Sequence, residues 1–538
     1  MVSWMDYWQL DKFKTCASSA MATAIDQVID LMKQAGVTVP ESQPRNMKKL
    51  TDHIRVILSN LIYARHTDPA MYIAVLKGSS YNTADPAYQG FQFSSGNVNK
   101  VADFLHQHAF IEILTGYPGS DQWTQGQASK TRATDKLDTL HDVDHTSIYR
   151  DCTHKETVVV KGKKIDYILK DRTGRPILDK RGRKQKRKRR NIIKTPEIDI
   201  VRQMRRKLAT INEVFQKANI DLDLDQHDLD ELNRQLAKDP DKYIRPVDFT
   251  QKQLYRVFLD GSLDCHGRFY GPWHVNIPEE YREKIMIDGM PVAELDYGYF
   301  HPSMLYCLEG LDIPPGDLYL LPDYPTDKPW RNFIKQILLI RINAKSDGGA
   351  IGALRKDWAK KFKKAKKQGK PIPKPPIPLE DPEIMGIIKR LRERHAPIQH
   401  YFDRPDIGNI LMNYDSQIAE QVMLHYAKKG IPALPIHDSF VVPVDYADEC
   451  WDVMLDAFQD VMAVEFSEPG AQAISIDGSY VQGVMNAMKR VRALDRSPEW
   501  DRLERDITIA IKADDEAPTD EFGPDGDYPF ESDDLWPK

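Results

Sequence analysis

The chain has 538 residues, 41% hydrophobic and 29% charged, with a formal net charge of -5. This length exceeds what one hydrophobic core usually organises, so two or more domains are expected. The composition is typical of a folded globular protein and contains no apolar run long enough for a membrane helix, which excludes a wholly disordered or membrane-embedded chain.

The first residues, MVSWMDYWQLDKFK, place acids and a lysine where a secretory signal needs an apolar stretch. A cytoplasmic location is therefore expected. The cysteines lie too far apart to form the close pairs of zinc ribbons or redox dithiols, and we predict that they are reduced thiols. They are Cys16, Cys152, Cys265, Cys307 and Cys450.

The first 150 residues predict a helical, winged-helix-like DNA-binding domain. From Met47 to Pro118 the apolar spacing predicts a helix, a short strand, a second helix that begins at Ser94 or Ser95, another strand and a turn. The same pattern also fits a purely structural cap in many α+β domains. Both interpretations stay open at this point.

Residues 151–194 predict β-hairpins with turns at Lys161-Gly162 and Thr173-Gly174, followed directly by the basic run KRGRKQKRKRR at Lys180–Arg190. A second basic stretch spans Lys356–Lys370. Clustered cations of this kind bind nucleic-acid phosphates despite the negative net charge, although such a run is often only a solvated tail. The predicted nucleic-acid contacts in the first run are Arg187, Lys188, Arg189 and Arg190.

Residues 195–258 predict a helical region. Thr195-Pro196-Glu197 has the capping hydroxyl, early proline and acid of a helix start, and the helix is expected to end near Ala218. The Pro- and Lys-rich stretch Lys370–Pro382 predicts a stiff linker. The last segment, 513–538, is acidic and predicted to be disordered.

Two segments each place one acid at the end of an apolar strand. PVAELDYGYFHP predicts a strand that ends at Asp296 before a helix, and IPALPIHDSFVVPVD predicts two strands around a tight turn with His437 and Asp438. Carboxylates at adjacent strand ends can bridge two magnesium ions for phosphoryl transfer. A lone acid after a strand is more often a turn residue, so the prediction depends on the residues nearby.

Those residues are cationic and polar. In RNFIKQILLIRINA, Arg331 and Lys335 lie on one helix face with Asn343 further along, which suits a nucleoside triphosphate; the alternative is an ordinary surface helix. In LDCHGRFYGPWHVNIP, Arg268 follows a glycine among aromatic residues, a mixture suited to a template or primer backbone.

In this order, HGRFYGPWHVNIP, ELDYGYF, RNFIKQILLIRINA and LPIHDSFVV resemble the motifs of family A DNA polymerases and the related phage-type single-subunit RNA polymerases. The resemblance covers roughly 260–444. It implies an α+β right-hand fold, with a palm of antiparallel strands and helical fingers within 259–512 and a thumb-like region at 195–258. It further implies two Mg²⁺ ions on Asp296 and Asp438, His437 at the primer end, and triphosphate contacts at Arg331 and Lys335.

The resemblance also implies that the polar run Asn413, Asp415 and Gln417 in GNILMNYDSQIAEQVMLHY supports the primer–template minor groove, and that Tyr297 borders the nucleotide. The departures are Asn343-Ala344 where the families carry tyrosine and glycine, and His301 five residues after Asp296. A bulky His301 favours deoxynucleotides, or it is simply the residue that enters a proline-started helix. The Asp-Ser of HDSF is closer to the RNA polymerases.

These features predict template-directed nucleotidyl transfer, most simply by a DNA polymerase without proofreading, with a DNA template and primer and nucleoside triphosphates as partners. One alternative is an RNA polymerase or primase on the same fold. Another is a non-catalytic winged-helix replication initiator. The acidic tail either solubilises the chain, folds back on the basic groove or docks on a replication partner.

Overall fold

The computed structural model describes residues 7–37, 43–75, 95–116, 129–140, 142–151, 156–169, 175–178, 182–237, 247–368, 371–436 and 438–464. The predicted acidic tail, Cys152, the turn at Thr173-Gly174 and His437 lie outside these residues. Within them the chain is a mixed α/β protein, and no helix is both long and apolar enough to cross a membrane. Four cysteines are free thiols, Cys16, Cys265, Cys307 and Cys450.

The N-terminal unit combines three helices with short strands. The helices are α1 (Ser19–Gln34), α2 (Pro44–Thr67) and α3 (Ser95–Gln107). The strands are β1 (Tyr7–Gln9), β2 (Lys14–Thr15), β3 (Tyr72–Val75), β4 (Ile111–Leu114), β5 (Ser129–Ala133) and β6 (Tyr149–Arg150). Four strands form a sheet in the order β1-β3-β5-β4. The predicted helix–strand–helix–strand order is confirmed, whereas a winged helix stays a prediction.

The apolar spacing of helix α3 shows why this order could be predicted from the sequence. Val98, Val101, Phe104 and Leu105 recur on one helical face, and all are at most 1% exposed. Burial of each such side chain contributes about 1.5–3 kcal/mol. This face packs into a core of its own, which joins residues from Trp8 to Ile148.

The described part of the basic run, residues 182–190, belongs to a β-ribbon. Its strands are β7 (Val158–Lys161), β8 (Ile165–Ile168), β9 (Lys186–Arg189) and β10 (Ile192–Ile193). Strand β8 pairs with β9, and β7 pairs with β10. The predicted local hairpin at Lys161-Gly162 is therefore wrong, because β7 and β8, on either side of it, pair with β10 and β9 and not with each other. The chain runs out through β7 and β8 and returns through β9 and β10.

The base of the ribbon joins the next region. That region contains α4 (Asp199–Lys217), β11 (Ile220–Leu222), α5 (Gln226–Ala237), β12 (Tyr255–Phe258) and β13 (His266–Tyr270). One sheet has the order β10-β7-β12-β13. The end of α4 agrees with the prediction, but its start does not: the helix begins at Asp199, because the Thr195 hydroxyl donates to the Val158 carbonyl, 2.7 Å away, instead of capping.

The remaining elements surround a five-stranded sheet. The strands are β14 (Ile285–Ile287), β15 (Met290–Asp296), β16 (Leu434–Ile436) and β17 (Ser439–Pro443). The helices are α6 (Phe300–Leu308), α7 (Lys328–Asn343), α8 (Asp347–Gln368), α9 (Asp381–Arg394), α10 (Ile407–Lys428) and α11 (Ala447–Met462). The sheet order is β11-β14-β15-β17-β16, with antiparallel pairing throughout. The predicted linker Lys370–Pro382 has no helix or strand over residues 371–380, but α9 begins within it, at Asp381.

This body has a hydrophobic core separate from that of the N-terminal unit. A buried ion pair joins the two units: Lys14 Nζ lies 2.8 Å from Asp248 Oδ2, and the two side chains are 1% and 9% exposed. The ammonium also lies 3.9 Å from the ring centre of Tyr63. Burial, together with the Asp248 charge, raises the pKa of Tyr63 well above its usual value, so its hydroxyl stays neutral.

Candidate active site

The two acids predicted as metal ligands lie at neighbouring strand ends. Asp296 is the last residue of β15, and its backbone is in register with Ser439, the first residue of β17. Asp438 immediately precedes Ser439 in the turn between β16 and β17. The sequence prediction of adjacent strand ends is therefore confirmed for the backbone. His437, in the same turn, lies outside the described residues.

A hydrogen-bonded cluster supports this turn from within the sheet. The Ser439 hydroxyl lies 2.6 Å from Glu294 Oε1 and 2.9 Å from the Ile436 carbonyl oxygen. Arg282 Nη1 in turn donates to the same Glu294 oxygen at 3.2 Å. Because Glu294 is two residues before Asp296 in β15, the contact ties the two acid-bearing strands together at their ends. Neither Glu294 nor Arg282 was predicted as a site residue.

Arg268 is held by a carboxylate. Its Nε donates to Asp415 Oδ2 at 2.6 Å, and the two side chains are 11% and 3% exposed. Arg268 follows Gly267, whose φ of +93° strongly favours glycine. A Cβ on Gly267 would lie 2.7 Å from the Ser416 hydroxyl on α10. The close approach of β13 to α10 thus requires this glycine and brings Arg268 to its partner.

His301 and Asp415 share the electrostatic surroundings of Asp438. Burial lowers the pKa of His301 to about 4, with a further lowering by Arg268 and an opposing effect of Asp438. The imidazole is therefore neutral at pH 7. Burial also raises the pKa of Asp415 to about 6; Arg268 opposes this shift and Asp438 adds to it. His301 on α6 and Asp415 on α10 thus each lie within electrostatic reach of Arg268 on β13 and of Asp438 in the β16–β17 turn.

The polar residues of α10 hold the segment before Arg268. Asn413 Nδ2 donates to the carbonyl oxygens of Leu263 and His266, at 2.9 and 3.3 Å. Gln417 Nε2 donates to Asn413 Oδ1 at 2.8 Å, while the Gln417 side chain is exposed. Asn413 therefore has a structural role here, and Gln417 is the one of the two that faces solvent. Their contact with a minor groove stays a prediction.

Helix α7 brings its cations to two tyrosines near the strand end. Arg331 is 5% exposed and forms an ion pair with Asp317. Its guanidinium lies 5.6 Å from the ring centre of Tyr299, three residues beyond Asp296, and 5.2 Å from that of Tyr319. Lys335 Nζ lies 5.7 Å from the Tyr319 ring. The two cations share one face, as predicted, but Arg331 is committed to Asp317, which leaves Lys335 as the more accessible cation.

Two other predicted nucleotide contacts face different surroundings. The Tyr297 hydroxyl donates to the Met454 carbonyl on α11 at 2.6 Å, and the side chain is 3% exposed. Asn343 is exposed at the end of α7, donates back to the Leu339 carbonyl at 2.9 Å, and leaves no room for a Cβ at Gly408 on α10. Tyr297 therefore packs the core behind the strand end, and Asn343 packs α7 on α10. For both residues, nucleotide contact stays a prediction.

The four predicted cations of the basic run do not share one environment. Lys188 and Arg189 are exposed on β9, where Arg187 also lies, and the Arg189 guanidinium is 6.0 Å from the Tyr167 ring centre. Arg190 is only 11% exposed, pairs with Asp260 and donates to the Gly162 carbonyl at 3.1 Å. Arg190 thus anchors the base of the ribbon, and the preceding residues extend from it.

The donor chemistry at the strand ends suits magnesium. Asp296 and Asp438 supply carboxylate oxygens, which Mg²⁺ prefers, and the nearby Arg268 is already paired with Asp415. Elsewhere in the described residues, Asp225, His227 and Asp228 form an exposed group at the start of α5. Such surface acids are common without an ion, and they are not at the strand ends.

The sequence did not predict which side chains contact the site residues. Asp317 and Tyr319 contact Arg331 but lie in no recognised motif. Tyr299 and Glu294 lie within ELDYGYF, but their contacts with Arg331 and Ser439 could not be read from it. Asp415 was visible in the polar run of α10, but its pairing with Arg268 was not, because 147 residues separate them. Charge complementarity between distant segments is not readable from one sequence.

No family model and no curated protein matches this chain. Among solved structures, it is similar to the "POL domain of Pol1 from M. smegmatis complex with DNA primer-template and dNTP". The match has 11% identity and a TM-score of 0.29, and covers 47% of this chain and 50% of that chain. The chain thus spans about half the length of this structure. So weak a similarity indicates nothing about activity, and the chain's own residues must carry any functional conclusion.

Proposed function

We propose that this chain is a template-directed nucleic-acid polymerase, most simply a DNA-directed DNA polymerase that uses two Mg²⁺ ions. The supporting observation is the register of β15 with β17, which brings Asp296 to the turn that contains Asp438. The four motifs that resemble family A polymerases occur in order around that sheet. When bound, the two ions would activate the primer 3′-oxygen and stabilise the leaving pyrophosphate.

The chain's own side chains have distinct roles in this proposal. Asp296 and Asp438 hold the ions, and His437 adjoins the primer end. Lys335 contacts the triphosphate, and Arg331, paired with Asp317, keeps Tyr319 and Tyr299 in place beside it.

Arg268 and Gln417 border the primer–template. Arg268 reaches nucleic acid through the part of its guanidinium not used by Asp415.

Buried, neutral His301 is proposed to exclude the ribose 2′-hydroxyl. It lies in the first turn of α6, within reach of the Asp438 charge, and a neutral imidazole adds no positive charge that would repel the ions. The opposing observation is Ser439, whose contact with Glu294 closes the turn in the Asp-Ser arrangement that resembles the RNA polymerases. RNA synthesis is therefore the second candidate function.

The test is extension of a labelled primer on a DNA template with Mg²⁺, with dNTPs and rNTPs supplied separately. Asp438→Asn is expected to lower the rate at least about a thousandfold, since loss of an ion ligand removes about 4 kcal/mol of transition-state stabilisation. Asp445→Asn is the matched control, an exposed acid at the far end of the same hairpin. Its rate is expected to equal that of the wild type.

The outcomes separate the candidate functions. Extension with dNTPs that Asp438→Asn abolishes supports a DNA polymerase, and His301→Ala should then admit rNTPs. Preference for rNTPs in the wild type selects RNA synthesis. If neither nucleotide set is consumed while DNA is bound equally by the wild type and Asp438→Asn, the chain is a non-catalytic DNA-binding initiator and the proposal is wrong.

A further inference from the structure

The β8–β9 ribbon is the most strongly cationic part of the chain. Residues 161–190 contain 15 lysines and arginines against three acids, in a chain whose net charge is -5. The exposed cations described in this segment are Lys163, Lys164, Arg175, Arg183, Lys184, Lys186, Lys188 and Arg189. Their mutual repulsion opposes the folded ribbon, so a polyanionic partner would stabilise it.

The ribbon also exposes apolar surface. Ile165 and Tyr167 on β8 are 49% and 43% exposed, and Leu178 near the distal end is 54% exposed. Among the described residues β8 and β9 form a sheet of two strands, which buries little apolar area, and large exposed apolar side chains beside charges mark interaction surfaces. The ribbon therefore has both a charged and an apolar component for a partner to contact.

Its base is rigidly attached to the body. Arg190 pairs with Asp260 and donates to the Gly162 carbonyl, and Gly162 N donates to the Asn191 carbonyl at 2.9 Å. Strands β7 and β10 belong to the sheet that ends in β13, which carries Arg268. A partner held on the ribbon is thus held at a set position relative to that strand.

The width of the β8–β9 ribbon and its side chains favour binding of duplex over single-stranded nucleic acid. Two paired strands are about 4.8 Å apart, and the major groove of duplex DNA, about 12 Å wide, admits a two-stranded β-ribbon. Single-strand binding relies on rows of aromatic side chains on which bases stack. Within 156–169, 175–178 and 182–194, Tyr167 is the only aromatic residue, and it lies beside the Arg189 guanidinium.

We propose that the β8–β9 ribbon enters the major groove of duplex DNA, with the β9 cations on the flanking phosphates and the exposed apolar side chains toward base edges. This contact goes beyond the proposed polymerase function, because it is separate from the strand-end acids and requires no nucleotide. It gives the protein a second hold on the duplex. This second contact would retain the protein on DNA whether or not nucleotidyl transfer takes place.

The test measures binding of full-length protein to a labelled 30-base-pair duplex and to the single strand, without nucleotides, across 50–200 mM salt. Lys188→Ala/Arg189→Ala removes two phosphate contacts, so the slope of log affinity against log salt should fall by about 1.8. Between 50 and 200 mM salt, the wild type should therefore lose about twelvefold more affinity than the variant.

Lys389→Ala/Arg390→Ala is the matched control. It removes the same Lys-Arg pair from α9, where Arg390 already pairs with Asp323 and Glu393. This control should keep the wild-type slope. A ligand that fills the major groove, methyl green, should compete with the protein, whereas the minor-groove ligand netropsin should not.

Three results would overturn the proposal. They are an unchanged salt slope in Lys188→Ala/Arg189→Ala, tighter binding to the single strand than to the duplex, and competition by netropsin alone. A loss of catalysis in Asp438→Asn, or its absence in the wild type, leaves these binding results intact. Failure of the proposed activity and failure of this inference are therefore distinguishable.

Discussion

Removal of the Asp415 carboxylate tests the part of the site where the structure gives the clearest energetic expectation. In Asp415→Ala, Arg268 keeps its charge in a position where its side chain is only 11% exposed. Breaking a buried pair by removing one partner costs about 3–5 kcal/mol, because the remaining charge has lost its compensation. Since 1.4 kcal/mol is a factor of ten, the amides of β13 and α10 should exchange at least about a hundredfold faster.

The control removes both charges. Arg268→Met/Asp415→Leu places apolar side chains in the same space, and such replacements are often neutral in stability, so most of the lost protection should return. Lys217→Ala, which breaks the exposed pair with Glu213, should change protection by less than about threefold. Hydrogen exchange followed segment by segment avoids treating a multidomain chain as a two-state system. Less than tenfold acceleration in Asp415→Ala would refute the reasoning.

Three further predictions concern Gly267, His274 and Lys335. Gly267→Ala should destabilise its surroundings by about 2–4 kcal/mol, as read from local amide exchange, because its Cβ meets the Ser416 hydroxyl at 2.7 Å in a left-handed backbone. Gly289→Ala, with φ of +78° and open space, should cost only about 1–2 kcal/mol locally, and equal costs would contradict this. Burial lowers the pKa of His274 to about 3, below the unfolded value near 6.5, so the stability linked to its neutral form is present above pH 6.5 and lost as the pH falls toward 3. His274→Met should therefore lose less stability than the wild type between pH 6.5 and 4 in acid titrations, and identical titrations would exclude this cause. Lys335→Ala should raise KM for the nucleoside triphosphate about tenfold with little change in kcat, as read from primer-extension kinetics, and an unchanged KM would remove Lys335 from the nucleotide site.

The sequence predicted elements where the signal is local. The apolar face of α3, the strand that ends at Asp296 and the tight turn before Ser439 all follow from residue periodicity and turn chemistry within a few residues. Because two apolar strands ending in acids pack in one sheet, the meeting of Asp296 with the Asp438 turn was also predictable. The helix, strand and turn predictions required no knowledge of contacts between distant segments.

The errors arise where distant segments compete with local signals. Thr195 begins a sequence typical of a helix N-terminus. Its hydroxyl donates instead to the Val158 carbonyl, and α4 begins later. Lys161-Gly162 has the composition of a hairpin turn, yet β7 finds its partners in β10 and β12. Both outcomes depend on a sheet whose strands are far apart in sequence, and local preference is too weak to override that pairing.

The cation partners were unpredictable for the same reason. Contact of Arg331 with the triphosphate stays a prediction; what the sequence did not predict is its pairing with Asp317 and its position beside two tyrosine rings. An arginine on an amphipathic helix has the same sequence signal whether its counter-charge is a ligand or another side chain. Only the three-dimensional arrangement distinguishes the two.

The buried contact of Lys14 with Asp248 limits how this protein can be divided or recombined. An excised body that begins after residue 150 would retain Asp248, whose Oδ1 accepts from Thr250, but would lose the ammonium that now lies against Oδ2. The separated N-terminal unit would in turn carry an uncompensated lysine between the Trp8 and Tyr63 rings. Exchange of either unit with that of another protein would therefore have to bring both halves of this ion pair.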